Sequence, residues 1–97
     1  MRRDEVIQKV RQHSRELAED YGMKSLALFG SVARNDATDT SDVDVLVDFG
    51  AAPTFDQYMG LNILSEDLLQ CQVDVVTLCA LKEPVRPYVE KEAVRVT

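Results

Sequence analysis

The sequence predicts a small α/β (α+β) domain in which helices cover one face of a mixed β-sheet. Three short apolar runs have the length and the bounding residues of buried strands, at residues 26–30, 42–49 and 73–78. Three segments with helical spacing of apolar residues lie before, between and after these runs, at residues 4–21, 54–69 and 84–93. A chain of 97 residues is long enough to bury a core, so we expect one domain over residues 1–97.

Composition excludes several classes of function. The chain carries 17 acidic and 11 basic residues, for a net charge of −6. A general nucleic-acid binder would show a basic face, so direct nucleic-acid binding is not expected, whereas metal binding and a basic protein partner are compatible with this charge. No apolar run could span a bilayer, and the basic N-terminus lacks the apolar segment of a signal peptide. We therefore expect a cytoplasmic protein, with Cys71 and Cys79 as small buried thiols.

The helical segments carry recognisable end signals. Gly22 is placed to end the first helix. Thr54 and Gln57 have the spacing of a capping box for the second helix. The apolar residues of this second helix are expected to face the core: Phe55, Met59, Ile63 or Leu64, and Leu68. The last four residues, 94–97, fit either a short strand or a frayed tail.

Two aspartates stand at the start of the second apolar run. Side chains alternate between the faces of a strand, so Asp42 and Asp44 point the same way while Val43 and Val45 point the other. Two ionised carboxylates on one face repel each other. A cation between them removes that repulsion, and hard oxygen ligands suit Mg²⁺. The pattern predicts a metal site at this strand.

A phosphate site is predicted next to this metal. Gly30 ends the first strand, and a glycine there lets the backbone approach a ligand closely. If Ser31 begins a short helix through Asn35, free N–H groups and the helix dipole favour an anion at that point. Arg34 lies on the same side of the turn and could add a charged fork to a phosphate oxygen. Together the two sites indicate Mg²⁺-dependent handling of a nucleoside triphosphate.

A third aspartate interrupts the third apolar run. Burial of a lone carboxylate is costly, so Asp74 is poorly explained as a core residue. It is either an exposed residue at a strand end or a third carboxylate on a strand beside Asp42 and Asp44. Asp48 shares their face but lies two pleats further along the strand, so it is not included in the site.

These residues resemble a known signature. Gly30-Ser31, ten intervening residues and then Asp42-x-Asp44 resemble the motif of the polymerase-β-type nucleotidyltransferase superfamily. The fuller string GSVARNDATDTSDVDVLVDF is similar to its smallest members, the minimal nucleotidyltransferase (MNT) antitoxins found beside HEPN-domain toxins. The specific resemblance runs over residues 26–77. It implies the nucleotidyltransferase fold, with the site on the sheet face that the helices leave open.

The resemblance also implies roles for the acidic residues. Asp42 and Asp44 would hold two Mg²⁺ ions, and Asp74 would ligate the second ion and accept the proton of the acceptor hydroxyl. The nucleotide donor would be ATP.

The phosphate contacts follow in the same way. The Gly30 backbone and Ser31 would hold the β- or γ-phosphate. Arg34 would contribute a further contact, although a surface ion pair with Asp36 or Asp39 explains it nearly as well.

The resemblance makes the acceptor a protein. After three strands and three helices, little of the chain is left to enclose a small acceptor. A HEPN toxin, itself a predicted ribonuclease, would receive AMP on a tyrosine hydroxyl and lose its activity. Two other functions stay open: an antitoxin that masks its toxin without catalysis, and a subunit of a small-molecule nucleotidyltransferase acting on aminoglycosides.

Overall fold

The computed structural model describes residues 2–34 and 42–97. Its helices are α1 (Arg3–Gln12), α2 (Ser14–Tyr21), α3 (Gly30–Ala33), α4 (Phe55–Leu69) and α5 (Arg86–Glu92). Its strands are β1 (Ser25–Phe29), β2 (Val43–Asp48), β3 (Val73–Thr77) and β4 (Val94–Arg95), and a 3₁₀ turn at Leu78–Ala80 follows β3.

The four strands form one mixed sheet in the order β3-β2-β1-β4. β1 pairs antiparallel with β2 and with β4, whereas β2 and β3 are parallel. A parallel pair needs a crossover connection, and α4 supplies it between β2 and β3. The mixed α/β class is therefore confirmed, and the last four residues begin with a short strand, β4, that pairs with β1 at Ala27 and Leu28.

One face of the sheet carries the core. Alternate side chains of β1, β2 and β3 point to this face, where α1, α2 and α4 contribute their buried residues. Each fully buried leucine or valine stabilises the fold by roughly 1.5–3 kcal/mol relative to exposure. The largest of these buried side chains are Leu17, Leu26, Leu28, Leu61, Leu69, Val6, Val32, Val43, Val45 and Val47.

The other residues of these strands point to the opposite face, where the predicted site lies. Asp44 is half-buried there and Asp74 is exposed. The last helix borders this face rather than the core face, since Glu90 and the following Ala93 line a cavity together with Ala27 and Leu46. The predicted position on the core face is therefore right for α1, α2 and α4 and wrong for α5. α5 also begins two residues later than predicted.

The first predicted helix is divided in two. α1 ends at Gln12 and α2 begins at Ser14, with His13 between them at φ −114°, ψ 12°. The Ser14 hydroxyl donates a hydrogen bond to the Arg11 carbonyl oxygen, 3.0 Å away, and such local bonds compete with the helical ladder. The predicted end is confirmed, because Gly22 adopts the left-handed conformation (φ 73°) that ends α2.

The start of α4 is confirmed, and its predicted buried face is right for Leu64 and Leu68, which pack partly buried against the core, but wrong for Phe55. The Thr54 hydroxyl accepts from the Gln57 N–H and the Gln57 side chain accepts from the Thr54 N–H, which completes the capping box. Phe55 and Ile63, however, are 77% and 60% exposed. The residues of α4 that are fully buried are Leu61, Ser65 and Leu69.

The prediction of two buried thiols was wrong for one of them. Both cysteines are free, but Cys79 is exposed and only Cys71 is partly buried. Burial raises the pKa of the Cys71 thiol above its ordinary value. Among the described residues, none of the helices has the length and apolar character needed to cross a bilayer.

Candidate active site

The turn after β1 is held in place by the buried side chains of α3. Phe29 is the extended residue before α3, and Gly30 follows at φ +74°. Val32 and Ala33 are buried, which leaves Ser31 half-exposed on the outer side of this single helical turn. The short helix predicted after Gly30 is therefore present over Gly30–Ala33, while its predicted extension to Asn35 lies outside the described residues.

Gly30 and Asp44 are in close contact. Phe29 pairs with Asp44 across β1 and β2, so the glycine that follows stands directly over the carboxylate. A Cβ added at Gly30 would lie 2.3 Å from Asp44 Oδ2, so the carboxylate would have to move aside. The left-handed φ and this contact both favour glycine here. Gly30 and Asp44, which come from the two parts of the sequence motif, therefore lie in contact.

The three aspartates are neighbours on one edge of the sheet. Asp44 and Asp74 are register partners in the parallel pair β2–β3, where adjacent strands lie about 4.8 Å apart. Asp42 immediately precedes β2 and is exposed. The Val43 N–H donates a hydrogen bond to the Gln72 carbonyl oxygen, 3.0 Å away. This bond holds the starts of β2 and β3 side by side. Asp74 is both exposed near the start of β3 and next to Asp44, so its position agrees with both interpretations.

The carboxylates act on one another electrostatically. Burial raises the pKa of Asp44 above the ordinary 3.8, and the negative charges of Asp74 and then Asp42 raise it further. The positive charge of Arg34 opposes this rise. Asp44 thus carries a charge that its surroundings disfavour, and a nearby cation would relieve that cost.

Within residues 2–34 and 42–97, no three or more carboxylate, thiol or imidazole groups are already gathered as a metal-binding set. The backbone fixes the relative positions of Asp44 and Asp74, whereas rotation about side-chain bonds sets where their oxygens point. Like charges favour rotamers in which the oxygens turn away from each other. Coordination by all three residues therefore requires side-chain rotation at this edge.

Arg34 is held by an acidic residue from the end of the chain. Its guanidinium forms an ion pair with Glu92 of α5, and both side chains are partly exposed. The alternative partners predicted for it, Asp36 and Asp39, lie outside the described residues. The contact with Glu92 spans 58 positions, and no local pattern indicates it.

Arg3 is a further residue that the sequence did not single out. Its guanidinium donates to the Ala33 carbonyl oxygen at 3.2 Å and so ties α1 to the last residue of α3. Asp48, by contrast, was excluded from the site, and its carboxylate accepts from the Gly50 N–H at 2.7 Å in the turn after β2. Asp48 therefore has a local structural role at the far end of its strand.

Comparison with known sequences matches most of the chain to one family. The profile described as "Nucleotidyltransferase domain" matches residues 10–96. A relative from Methanocaldococcus jannaschii, to which protein adenylyltransferase activity is ascribed, is 39% identical over 87 residues, covering 90% of this chain and 86% of the relative. The protein adenylyltransferase MntA of Thermococcus cleftensis is 36% identical over 93 residues, covering 96% and 94%.

Solved structures share the fold. A structure ascribed to a minimal nucleotidyltransferase superposes with a TM-score of 0.81 at 33% identity, over 97% of this chain and 95% of that one. A chain of a toxin–antitoxin complex with AMP-PNP superposes with a TM-score of 0.75 over 94% of this chain and 72% of that one. Its identity is 19%, so this second likeness concerns the fold alone.

Proposed function

The chain belongs to the nucleotidyltransferase domain family, and from that premise we propose that it is an antitoxin-type protein adenylyltransferase. It would transfer AMP from ATP to a tyrosine hydroxyl of a cognate HEPN toxin in the cytoplasm and so neutralise the ribonuclease activity of that toxin. The observation that carries the proposal is the contact of Gly30 with Asp44, which in turn is the register partner of Asp74.

The group of aspartates beside Gly30 suits divalent cations. Asp42, Asp44 and Asp74 offer only hard carboxylate oxygens, the donor set that Mg²⁺ prefers. The repulsion that raises the pKa of Asp44 is relieved when a cation lies between the groups. We propose that Asp42 and Asp44 bind two Mg²⁺ ions and that Asp74 binds one of them. When bound, the ions supply charge neutralisation at the triphosphate and at the acceptor oxygen.

The turn at Gly30 suits the phosphates. Gly30 lies against Asp44 and Ser31 follows it in α3, so a β- or γ-phosphate bound at this turn would lie next to the carboxylates. Arg34 follows at the end of the same turn, where its charge reaches Asp44. Its ion pair with Glu92 is partly exposed, so a phosphate can compete for the guanidinium at modest cost.

The reaction is a single displacement at phosphorus. The acceptor oxygen attacks the α-phosphorus, the bond from that phosphorus to the β-phosphate oxygen breaks, and pyrophosphate leaves. The acceptor proton moves to Asp74 or to solvent. The main contribution of the protein is to position the two reactants and to balance their charge.

Exposed apolar side chains in the α5 region support a protein acceptor. Val85 and Tyr88 are 50% and 77% exposed, and Glu92 at the end of α5 pairs with Arg34. Exposed apolar patches are typical of surfaces that dock another protein. The similarity to MntA, and the toxin–antitoxin complex that shares this fold, support a toxin as that protein.

Replacing both Asp42 and Asp44 with asparagine separates catalysis from masking. The double variant is co-expressed with the proposed HEPN toxin partner. We expect the complex to form and the toxin to stay active, because the carboxylates are needed for transfer and not for docking. The proposal is wrong if the double variant protects cells as well as the wild type does, since binding alone would then account for neutralisation.

A further inference from the structure

The outer edge of β3 is held by side chains of α4. β3 is the last strand on its side of the sheet, so the backbone groups on its outer edge face no neighbouring strand. The Tyr58 hydroxyl donates a hydrogen bond to the Val75 carbonyl oxygen, 3.0 Å away. The Asn62 side-chain N–H donates to the Val73 carbonyl oxygen at 3.1 Å, and the Val73 N–H donates to the Glu66 carboxylate at 3.2 Å. Three backbone groups of β3 are therefore bonded to α4.

The three α4 residues form one row, which we call the α4 polar row. Tyr58, Asn62 and Glu66 follow one another at intervals of four, so they lie on one face of the helix. All three are half-buried where α4 packs on β3. Polar groups that lose water at such a contact need hydrogen-bond partners, and the backbone of β3 supplies them. The row therefore fixes the position of α4 along β3.

The bonds of the α4 polar row lie on both sides of Asp74. Backbone groups of successive residues point to opposite edges of a strand. The Gln72 carbonyl oxygen accepts from the Val43 N–H of β2, so the groups of Asp74 also point toward β2. Val73 and Val75, the chain neighbours of Asp74, bond outward to α4. The backbone that carries Asp74 is therefore held from both edges of its strand.

The placement of the Asp74 carboxylate depends on this backbone. A metal ligand must be held to within about 0.5 Å of its working position. Asp74 is exposed, so the backbone of β3 sets the direction in which its side chain leaves the strand. We propose that Tyr58, Asn62 and Glu66 are positioning residues that keep Asp74 beside Asp44 for metal binding. The inference rests on the proposed function, because that function makes Asp74 a ligand.

Two variants remove single bonds of the α4 polar row. Asn62→Leu removes the donor to the Val73 carbonyl oxygen with little change in side-chain size. Tyr58→Phe removes only the hydroxyl that bonds to Val75, and it is the second variant in case Asn62→Leu does not fold. Thr54→Ala is the matched control, because it removes a hydrogen bond at the start of the same helix without touching β3.

The readout is binding of Mn²⁺ to the protein, followed by electron paramagnetic resonance of the free ion. Mn²⁺ takes the same carboxylate oxygens as Mg²⁺, and its binding is measured without any transfer reaction. Residues that orient a metal ligand typically contribute 10- to 100-fold to metal affinity. We expect Asn62→Leu and Tyr58→Phe to weaken Mn²⁺ binding about tenfold and Thr54→Ala to leave it unchanged.

Asp74→Asn shows whether the effect passes through Asp74. In that background Asn62→Leu is expected to weaken Mn²⁺ binding no further, because the ligand that Asn62 positions is gone. The inference is overturned if a folded single variant binds Mn²⁺ as the wild type does, or if Asn62→Leu keeps its effect alongside Asp74→Asn. In both cases the proposed function stands as long as Asp74→Asn alone weakens binding. If Asp74→Asn binds Mn²⁺ normally, Asp74 is not a ligand, and the inference falls together with the role proposed for Asp74.

Discussion

Because Gly30 has no side chain, the turn that begins at Gly30 can lie directly against the Asp44 carboxylate. The space for a Cβ is occupied by an oxygen 2.3 Å away, and the residue has φ +74°. A substitution here therefore has two separate effects, backbone strain and displacement of the carboxylate.

Gly30→Ala tests both effects. Strain in the left-handed region costs about 1–3 kcal/mol of stability. Displacement of Asp44 is expected to lower the rate of AMP transfer about 100-fold or more. Denaturant unfolding and a transfer assay measure the two losses.

Gly50→Ala is the matched control for strain. Gly50 has φ +80°, but an added Cβ would meet only the flexible side chain of Lys24. We expect a similar loss of stability with transfer retained in the folded protein. If Gly50→Ala abolishes transfer as thoroughly as Gly30→Ala does, the contact with Asp44 is not the reason for the loss.

Asp44→Asn is expected to stabilise the folded protein at neutral pH. The pKa of Asp44 is raised on folding, so the folded state holds this proton more tightly than the unfolded state does. Wild-type stability therefore falls as pH rises from the ordinary 3.8 through the raised pKa, and asparagine avoids that loss.

Thermal unfolding between pH 3 and pH 8 measures this effect. The melting temperature of Asp44→Asn should exceed that of the wild type at neutral pH, and the difference should vanish at acidic pH. Asp48→Asn is the control, because an amide oxygen can still accept from the Gly50 N–H. An equal gain in both variants would contradict a local repulsion at Asp44.

At the level of elements, the ends of helices could be predicted from neighbouring residues, whereas the face that a helix buries could not. The capping box at Thr54 and the glycine end of α2 involve neighbours in sequence, so their residue types predict them. α4 has apolar residues on almost every side, so its spacing does not select a face. Packing against α1, α2 and β3 selects Leu61 and Leu69 and leaves Phe55 outside.

Thr54→Ala tests the capping box. Loss of the hydroxyl leaves the Gln57 N–H without its acceptor and is expected to cost about 1 kcal/mol of stability. Thr54→Ser keeps an oxygen in the same place and should restore most of that loss. Chemical denaturation measures both variants, and transfer by the folded protein should be unchanged. A Thr54→Ala protein as stable as the wild type would show that the cap contributes nothing.

At the level of the whole molecule, a common site for Asp42, Asp44 and Asp74 stays a prediction. The sequence did predict the three longer strands, the mixed sheet and the face on which Asp44 lies. These features follow from alternation along each strand, which fixes the face of a side chain wherever the strand pairs. The pairing of β4 with β1, the position of α5 and the ion pair between Arg34 and Glu92 depend on contacts between distant segments. No local pattern carries that information, so these features required coordinates.

We propose that Asp42, Asp44 and Asp74 act together to modify a partner protein. Intact-mass measurement of the toxin after incubation with this protein and Mg²⁺-ATP tests it most directly, with Asp74→Asn as the inactive variant and Asp48→Asn as the control on the same face. We predict that the wild type and Asp48→Asn add the mass of an adenylyl group to the toxin and that Asp74→Asn adds none. An unmodified toxin with the wild type, or modification that persists with Asp74→Asn, would contradict the account.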